Sequence, residues 1–140
     1  MSRVEIVITN NRIPELKVKF PNLVQAIIDK TAMDVQRFAI ELMQMPKSGR
    51  TYKRGSKSHQ ASAPGEAPAI DTGNLANNIK VKHPKKLLAT VGPGDVDYAV
   101  PLEFGSEDGK LAARPFMGPA AEKARPKFIQ ALTQLESRLR

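Results

Sequence analysis

The sequence predicts a single α+β domain over residues 1–140, in which a small antiparallel β-meander packs against a long N-terminal helix and a C-terminal helix. Apolar residues recur at steps of three and four between Pro21 and Met45 and again between Ala120 and Leu139, which is typical of amphipathic helices. Short stretches between these helices alternate apolar and polar residues, as half-buried strands do. The length of 140 residues also fits one domain.

The amino-acid composition limits the classes of function that the chain can have. The chain carries 22 Lys and Arg against 14 Asp and Glu, and this net charge of +8 indicates either a polyanionic partner or simple solubility. The absence of cysteine excludes disulfides and thiolate metal sites. No apolar run reaches the roughly 20 residues of a membrane helix. The N-terminus lacks the apolar segment of a signal peptide, so we expect synthesis in the cytoplasm and no membrane partner.

The N-terminal segment Val4–Thr9 is short and rich in β-branched residues. It is predicted to form a strand, or an arm that pairs only within an assembly. Its alternating residues Val4, Ile6 and Ile8 are therefore candidates for a subunit interface.

The long helix is predicted to run from Pro21 to Met45. Pro21 suits the first turn of a helix, and Asn22 with Gln25 offers an alternative start as a capping box. Pro46 is expected to end the helix, because proline disfavours helical backbone for the residue before it.

The segment Lys47–Ala69 is poor in apolar residues and rich in Gly, Ser, Pro and basic residues, which predicts a flexible loop over about residues 47–71. Loops of this length are usually functional or ordered only on binding. The loop is interpreted as a surface that contacts DNA phosphates, as a surface that docks on an acidic ring, or as a solvated segment. Its candidate binding residues, with no acidic residue between them, are Lys47, Arg50, Lys53, Arg54 and Lys57.

Three strands are predicted after the loop. Ile79 and Val81 alternate with lysines, residues 83–86 resemble a turn, and residues 87–91 form a second short apolar stretch. In the third, residues 98–104, apolar residues again alternate with others. Tight links between the three predict an antiparallel meander.

The third predicted strand carries two further interface candidates. Pro101 cannot donate a ladder hydrogen bond, so it is expected at a sheet edge, where unpaired backbone groups invite a partner strand. Glu103 is expected to point away from the apolar face, where it would pair with a basic residue of a neighbouring subunit or remain solvated.

The last helix follows Arg114-Pro115-Phe116, and Pro119 suits its first turn. Pro126 lies within the apolar pattern and predicts a kink. The aromatic residues Tyr98, Phe104 and Phe116 are expected in the core.

No catalytic, cofactor or metal site is predicted. Asp71-Thr72-Gly73 resembles the catalytic loop of retroviral-type aspartic proteases, but it lacks the preceding apolar strand, and two long helices do not fit such a subunit. The Gly- and Lys-rich residues 49–57 lack the spacing of a phosphate-binding loop. His59 and His83 have no partner at metal-ligand spacing.

Three blocks, read in order, resemble a known family. They are Thr72-Gly73-Asn74-Leu75 with Ile79, Tyr98-Ala99 with Glu103-Phe104-Gly105, and Arg114-Pro115-Phe116 with Pro119-Ala120. Their order and spacing resemble the tail-component family of long-tailed bacteriophages and prophages, which is linked to tail completion and head–tail joining. The run from Ala63 to Pro68 also occurs in a branch of that family.

The resemblance implies a structural virion protein, assembled in the host cytoplasm and acting in the neck between capsid and tail. It implies a homo-oligomeric ring, commonly six-fold in that region, with neighbouring neck, portal-side and tail-tube proteins as partners. Non-specific contact with DNA in the lumen is compatible with the basic loop. The alternatives are a tail terminator that caps the tail tube and a small basic DNA-binding protein.

Overall fold

A computed structural model describes residues 12–70, 74–94 and 99–139. The described helices are α1 (Ile13–Lys19), α2 (Pro21–Gln44), α3 (Asn74–Asn77), α4 (Ala99–Phe104) and α5 (Met117–Glu136), the last followed by a 3₁₀ turn, Ser137–Leu139. The strands are β1 (Thr51–Arg54), β2 (Lys57–Gln60), β3 (Lys80–Lys85) and β4 (Leu88–Gly92). They form two separate antiparallel hairpins, β1–β2 and β3–β4. The predicted α+β class, with one long helix near each end, is confirmed.

Helices α2 and α5 form the centre of the fold, and small residues let them approach closely. Ala39 of α2 and Ala120 and Ala124 of α5 are buried. The main core includes these alanines and joins both helices to the loops and to the start of β3. Its buried members are Phe38, Ala39, Met43, Ala67, Leu75, Ile79, Phe116, Ala120 and Ala124.

Helix α2 begins and ends close to where its prolines predict. Pro21 occupies the first helical position, and Met45, just before Pro46, has extended backbone. The alternative capping box does not form, because no side chain caps this end of the helix. Gln25 instead donates to Asp29 at 2.8 Å and accepts from the Leu87 backbone N–H at 2.7 Å, which ties α2 to the β3–β4 turn.

Helix α1 was not predicted from the sequence. Pro14 is compatible with it because it lies in the first turn, where no intrahelical N–H bond is lost. Leu16 is buried against Val24 of α2 and Leu135 of α5 in a second, smaller core. This cluster fastens the N-terminal helix across the α2–α5 pair.

The prediction of a loop without secondary structure between Lys47 and Ala69 is wrong. Thr51–Arg54 and Lys57–Gln60 pair as a hairpin, and Gly55 takes a positive φ of 62° in its turn. The base of the hairpin continues through Gly49, whose N–H donates to the Ala61 carbonyl at 3.0 Å. A Cβ at Gly49 would lie 2.5 Å from that carbonyl oxygen, so only glycine fits this approach.

The predicted third strand over residues 98–104 is also wrong. Residues Ala99–Phe104 form helix α4, so the meander is replaced by two separate hairpins. Pro101 lies in the first turn of this helix, where proline is tolerated, and the sheet-edge argument for an interface at Pro101 no longer applies. Phe104, expected in the core, is 50% exposed, whereas Phe116 is 1% exposed and lies in the core as expected.

Two boundaries differ in smaller ways. His83, Pro84 and Lys85 belong to β3, with a register shift between Lys82 and Lys85, and the turn follows at residues 86–87. Helix α5 continues through Pro126 to Glu136. In the part of the chain that the structure describes, no helix has the length and apolar character needed to span a membrane.

Candidate functional site

The β1–β2 hairpin, here called the basic hairpin (residues 50–60), carries four of the five basic residues that the sequence singled out. Arg50 and Lys53 are exposed, and Tyr52 is 45% exposed. The Arg50 guanidinium lies over the Tyr52 ring, 5.2 Å from its centroid. Arg54 and Lys57 occupy directly opposed positions in the register. The hairpin makes only sparse contacts with other helices and strands.

Glu66 anchors the base of the basic hairpin. Its Oε1 accepts hydrogen bonds from the Ser48 N–H at 3.1 Å, the Ser48 hydroxyl at 2.8 Å and the Ala63 N–H at 2.7 Å. On the other side of Ser48, the Lys47 ammonium donates to the Leu42 carbonyl at 2.8 Å, near the end of α2. This hydrogen bond holds the Lys47 ammonium against the end of helix α2.

The surroundings of Glu66 and Lys47 lower the pKa values of both side chains. The hydrogen bonds from Ala63 and Ser48 lower the pKa of Glu66 below its ordinary value. Partial burial lowers the pKa of Lys47, and the nearby Glu66 carboxylate opposes that shift. At neutral pH Glu66 is therefore a carboxylate, and it accepts hydrogen bonds from the backbone N–H groups of Ser48 and Ala63.

We predict that acid releases the hairpin base. Because the folded-state pKa of Glu66 is depressed, its stabilising contribution is complete above the ordinary carboxyl range. It is lost as the pH falls through the depressed value. The protection factors of the Ser48 and Ala63 amides, which compare their exchange with the intrinsic rate at the same pH, should fall over that range, as measured by NMR or mass spectrometry. In a Glu66→Gln variant exchange at these amides should be faster at neutral pH and lack this titration; a wild-type-like acid response would contradict the assignment.

A second carboxylate, Glu103, caps helix α5 from a distance. Its Oε2 accepts from the Phe116 N–H at 2.8 Å and the Met117 N–H at 3.0 Å, and its Oε1 accepts from the Gly118 N–H at 2.8 Å. These N–H groups lie at the start of the helix, where no intrahelical carbonyl is available to them. From the sequence, Glu103 was expected to pair with a basic residue of a neighbouring subunit or to remain solvated. In the structure its carboxylate instead accepts hydrogen bonds from backbone N–H groups of the same chain.

Further backbone contacts join the loops around this cap. The Arg114 N–H donates to the Leu102 carbonyl, and the Gly65 N–H donates to the Ala113 carbonyl at 2.9 Å. The Arg114 side chain donates to the Ser62 carbonyl at 3.4 Å. The anchor of the basic hairpin and the cap of α5 therefore belong to one connected region.

The loop after α4 is closed by its own side chains. Asp108 accepts from the Ser106 hydroxyl at 2.7 Å and from the Lys110 N–H at 3.0 Å, and these bonds lower the pKa of Asp108. Gly105 takes a φ of 81°, a left-handed conformation that favours glycine. These contacts hold the shape of the loop.

An open groove of about 420 Å³ lies between α2 and α5. Asp34 is buried in its wall and bonds to the Lys30 ammonium at 3.1 Å and the Arg37 guanidinium at 3.3 Å. The groove is lined by both apolar and polar residues, three of them basic: Leu23, Ala26, Ile27, Lys30, Thr31, Asp34, Lys127, Ala131, Gln134, Leu135 and Arg138.

The other predicted residues are distributed as follows. Val4, Ile6 and Ile8, and the protease-like triplet Asp71-Thr72-Gly73, lie outside the described residues. His83 contacts Asp29 at 3.0 Å. Within the described residues, no group of three or more His, Cys, Asp or Glu is placed to hold a metal ion.

Sequence reasoning missed the roles of Glu66 and Glu103. Both act on backbone N–H groups through side-chain contacts, and those of Glu103 lie 13 to 15 positions along the chain. A capping box within one helix can be recognised from the sequence spacing of its residues. A cap supplied by a residue of another helix cannot, because no fixed spacing links the two. Comparison with known proteins finds no match to a family model, a curated protein or a solved structure.

Proposed function

We propose that this chain is a structural subunit of a tailed-bacteriophage virion. It acts at the head–tail junction as a tail-completion or head–tail joining component, and it works as a homo-oligomeric ring docked between neighbouring neck proteins. The proposal rests first on the three sequence blocks that resemble the phage tail-component family.

The observation that carries the proposal is the meeting of these blocks in the folded chain. Leu75 and Ile79, from the first block, are buried in the same core as Phe116 from the third. Glu103, from the second block, caps the helix that starts immediately after Phe116. Residues that are distant in sequence thus jointly build one junction, which is compatible with the three blocks being the signature of one fold.

The surface of the chain is compatible with docking. Val18, Met33, Met45 and Phe104 are each at least half exposed. These residues come from α1, α2, the end of α2 and α4, which are separate parts of the chain. Head-to-tail rings use two different surfaces of each subunit, so apolar residues on more than one element suit such contacts.

Native mass spectrometry of the full chain over a range of concentrations tests the ring. We expect a closed ring, six-fold or close to it, that the substitution Ile6→Asp dissociates because a buried charge is costly at an interface. Val7→Asp is the matched control, since Val7 alternates in the sequence with the candidate interface residues Ile6 and Ile8. Equal assembly by wild type and the Ile6→Asp variant would contradict the predicted arm contact.

Virion analysis then tests the place of action. The chain should be present in purified particles, and its deletion should leave filled heads and complete tails unjoined. Tails of uncontrolled length would instead indicate the tail-terminator alternative. Absence from particles, together with a monomer or stable dimer at every concentration, would overturn the proposal.

A further inference from the structure

The basic hairpin concentrates positive charge without internal neutralisation. Residues 47–65 contain five Lys and Arg and no acidic residue. Lys53 is exposed and forms no ion pair with the carboxylates that the structure describes. Arg54 and Lys57 stand directly opposite each other in the register.

The composition of the hairpin argues against a protein partner. Residues 50–60 include no Leu, Ile, Val, Met or Phe, and Tyr52 is the only aromatic residue among them besides His59. Protein interfaces are built around a buried core that is depleted in Lys and Ser. Interfaces with DNA are more polar and much more positively charged. Tyr52 is thus the one large apolar anchor among these residues, and the surface suits a phosphate backbone better than an acidic protein ring.

The shape of the hairpin fits duplex DNA. Each strand has four residues, so the paired ribbon is about 13 Å long at ~3.3 Å per residue. The major groove, about 12 Å wide, admits a two-stranded ribbon. Thr51 and Ser58 are exposed on the same two strands and add uncharged hydrogen-bond donors for phosphate oxygens. The stack of Arg50 on Tyr52 holds one guanidinium at the base of the ribbon.

We propose that the basic hairpin binds the phosphate backbone of duplex DNA without reading its sequence, through Arg50, Lys53, Arg54 and Lys57. Lys47 is excluded from this set because its ammonium bonds to the Leu42 carbonyl. The inference adds a ligand and a defined surface to the proposed neck function. It does not require the ring, because a single chain presents the whole hairpin.

Fluorescence anisotropy with the full chain and a labelled duplex of mixed sequence tests the inference. The triple variant Lys53→Gln, Arg54→Gln, Lys57→Gln should weaken binding about 100-fold near physiological salt. It should also reduce the slope of log affinity against log salt concentration by about 2.7, because each lost phosphate contact reduces that slope by ~0.9. The matched control, Lys17→Gln, Lys19→Gln, Lys86→Gln, removes the same charge from exposed positions outside the hairpin. It should weaken binding less than tenfold.

Three results would overturn the inference. The first is an absence of duplex binding by the wild-type chain at low salt. An acidic protein would then be the better candidate partner of the hairpin. The second is equal loss in the two triple variants, since net charge alone would then explain binding. The third is a strong preference for single-stranded DNA that Tyr52→Ala abolishes, because stacking on bases would then replace backbone contact. DNA binding and ring formation are measured separately, so either can fail alone.

Discussion

Phe116→Ala is expected to lower the free energy of unfolding by about 3–5 kcal/mol, the usual cost of truncating a buried phenylalanine. Phe116 is 1% exposed and lies in the main core with residues of α2, α3 and α5. It also lies directly before the first residue of α5, so the side chain fixes where that helix meets the core. A cavity at this point would loosen several elements at once.

Urea denaturation followed by circular dichroism measures this effect. Phe104→Ala is the matched control, because Phe104 is the same residue type near the same junction but is 50% exposed. The control should cost less than about 1.5 kcal/mol, since half or less of the side-chain burial is lost. A thermal midpoint lowered by roughly 10–20 °C is expected for Phe116→Ala in a domain of this size. Similar losses in both variants would contradict the position of Phe116 in the core.

The two long helices, α2 and α5, were predictable because burial along them is periodic. Helix α2 has buried residues on one side over its whole length and is bounded by Pro21 and Pro46. Helix α5 shows the same pattern, with Ala120, Ala124 and Leu135 buried. The periodic spacing of apolar residues shows which residues face a core, so a long helix that packs along one side can be predicted from its sequence.

The basic hairpin was not predictable by the same rule because it buries almost nothing. Its strands are polar on both faces, so alternation carries no signal. The hairpin is held instead by its base. There the Gly49 N–H donates to the Ala61 carbonyl, the Ala61 N–H donates to the Arg50 carbonyl, and Glu66 accepts from Ser48. The cluster of positive charge was visible in the sequence, but the ribbon that carries it was not.

Helix α4 shows a true conflict between local pattern and tertiary contacts. Residues 98–104 alternate as a strand would, yet Ala99–Phe104 are helical. Leu102 packs against the main core and offers its carbonyl to Arg114, while the next residue, Glu103, reaches the start of α5. Contacts that lie more than ten positions away decide the conformation, and short-range patterns do not contain them.

Glu103→Ala is expected to destabilise the fold by about 2–3 kcal/mol. A single lost helix cap costs about 0.5–2 kcal/mol, and here one carboxylate holds the N–H groups of Phe116, Met117 and Gly118. Its negative charge also lies at the positive end of the α5 dipole. Glu103→Gln retains one acceptor oxygen and loses the charge, so it should fall between the alanine variant and wild type.

Chemical denaturation and native-state amide exchange distinguish this cap from a general surface effect. Glu107→Ala is the matched control, since Glu107 is exposed and follows α4 closely in the chain. It should change stability by less than about 0.5 kcal/mol. The amides of Phe116, Met117 and Gly118 should exchange faster in Glu103→Ala and remain protected in the control. If Glu103→Ala and Glu107→Ala behave alike, the carboxylate does not cap α5, and the junction that links the second and third sequence blocks loses its main polar contact.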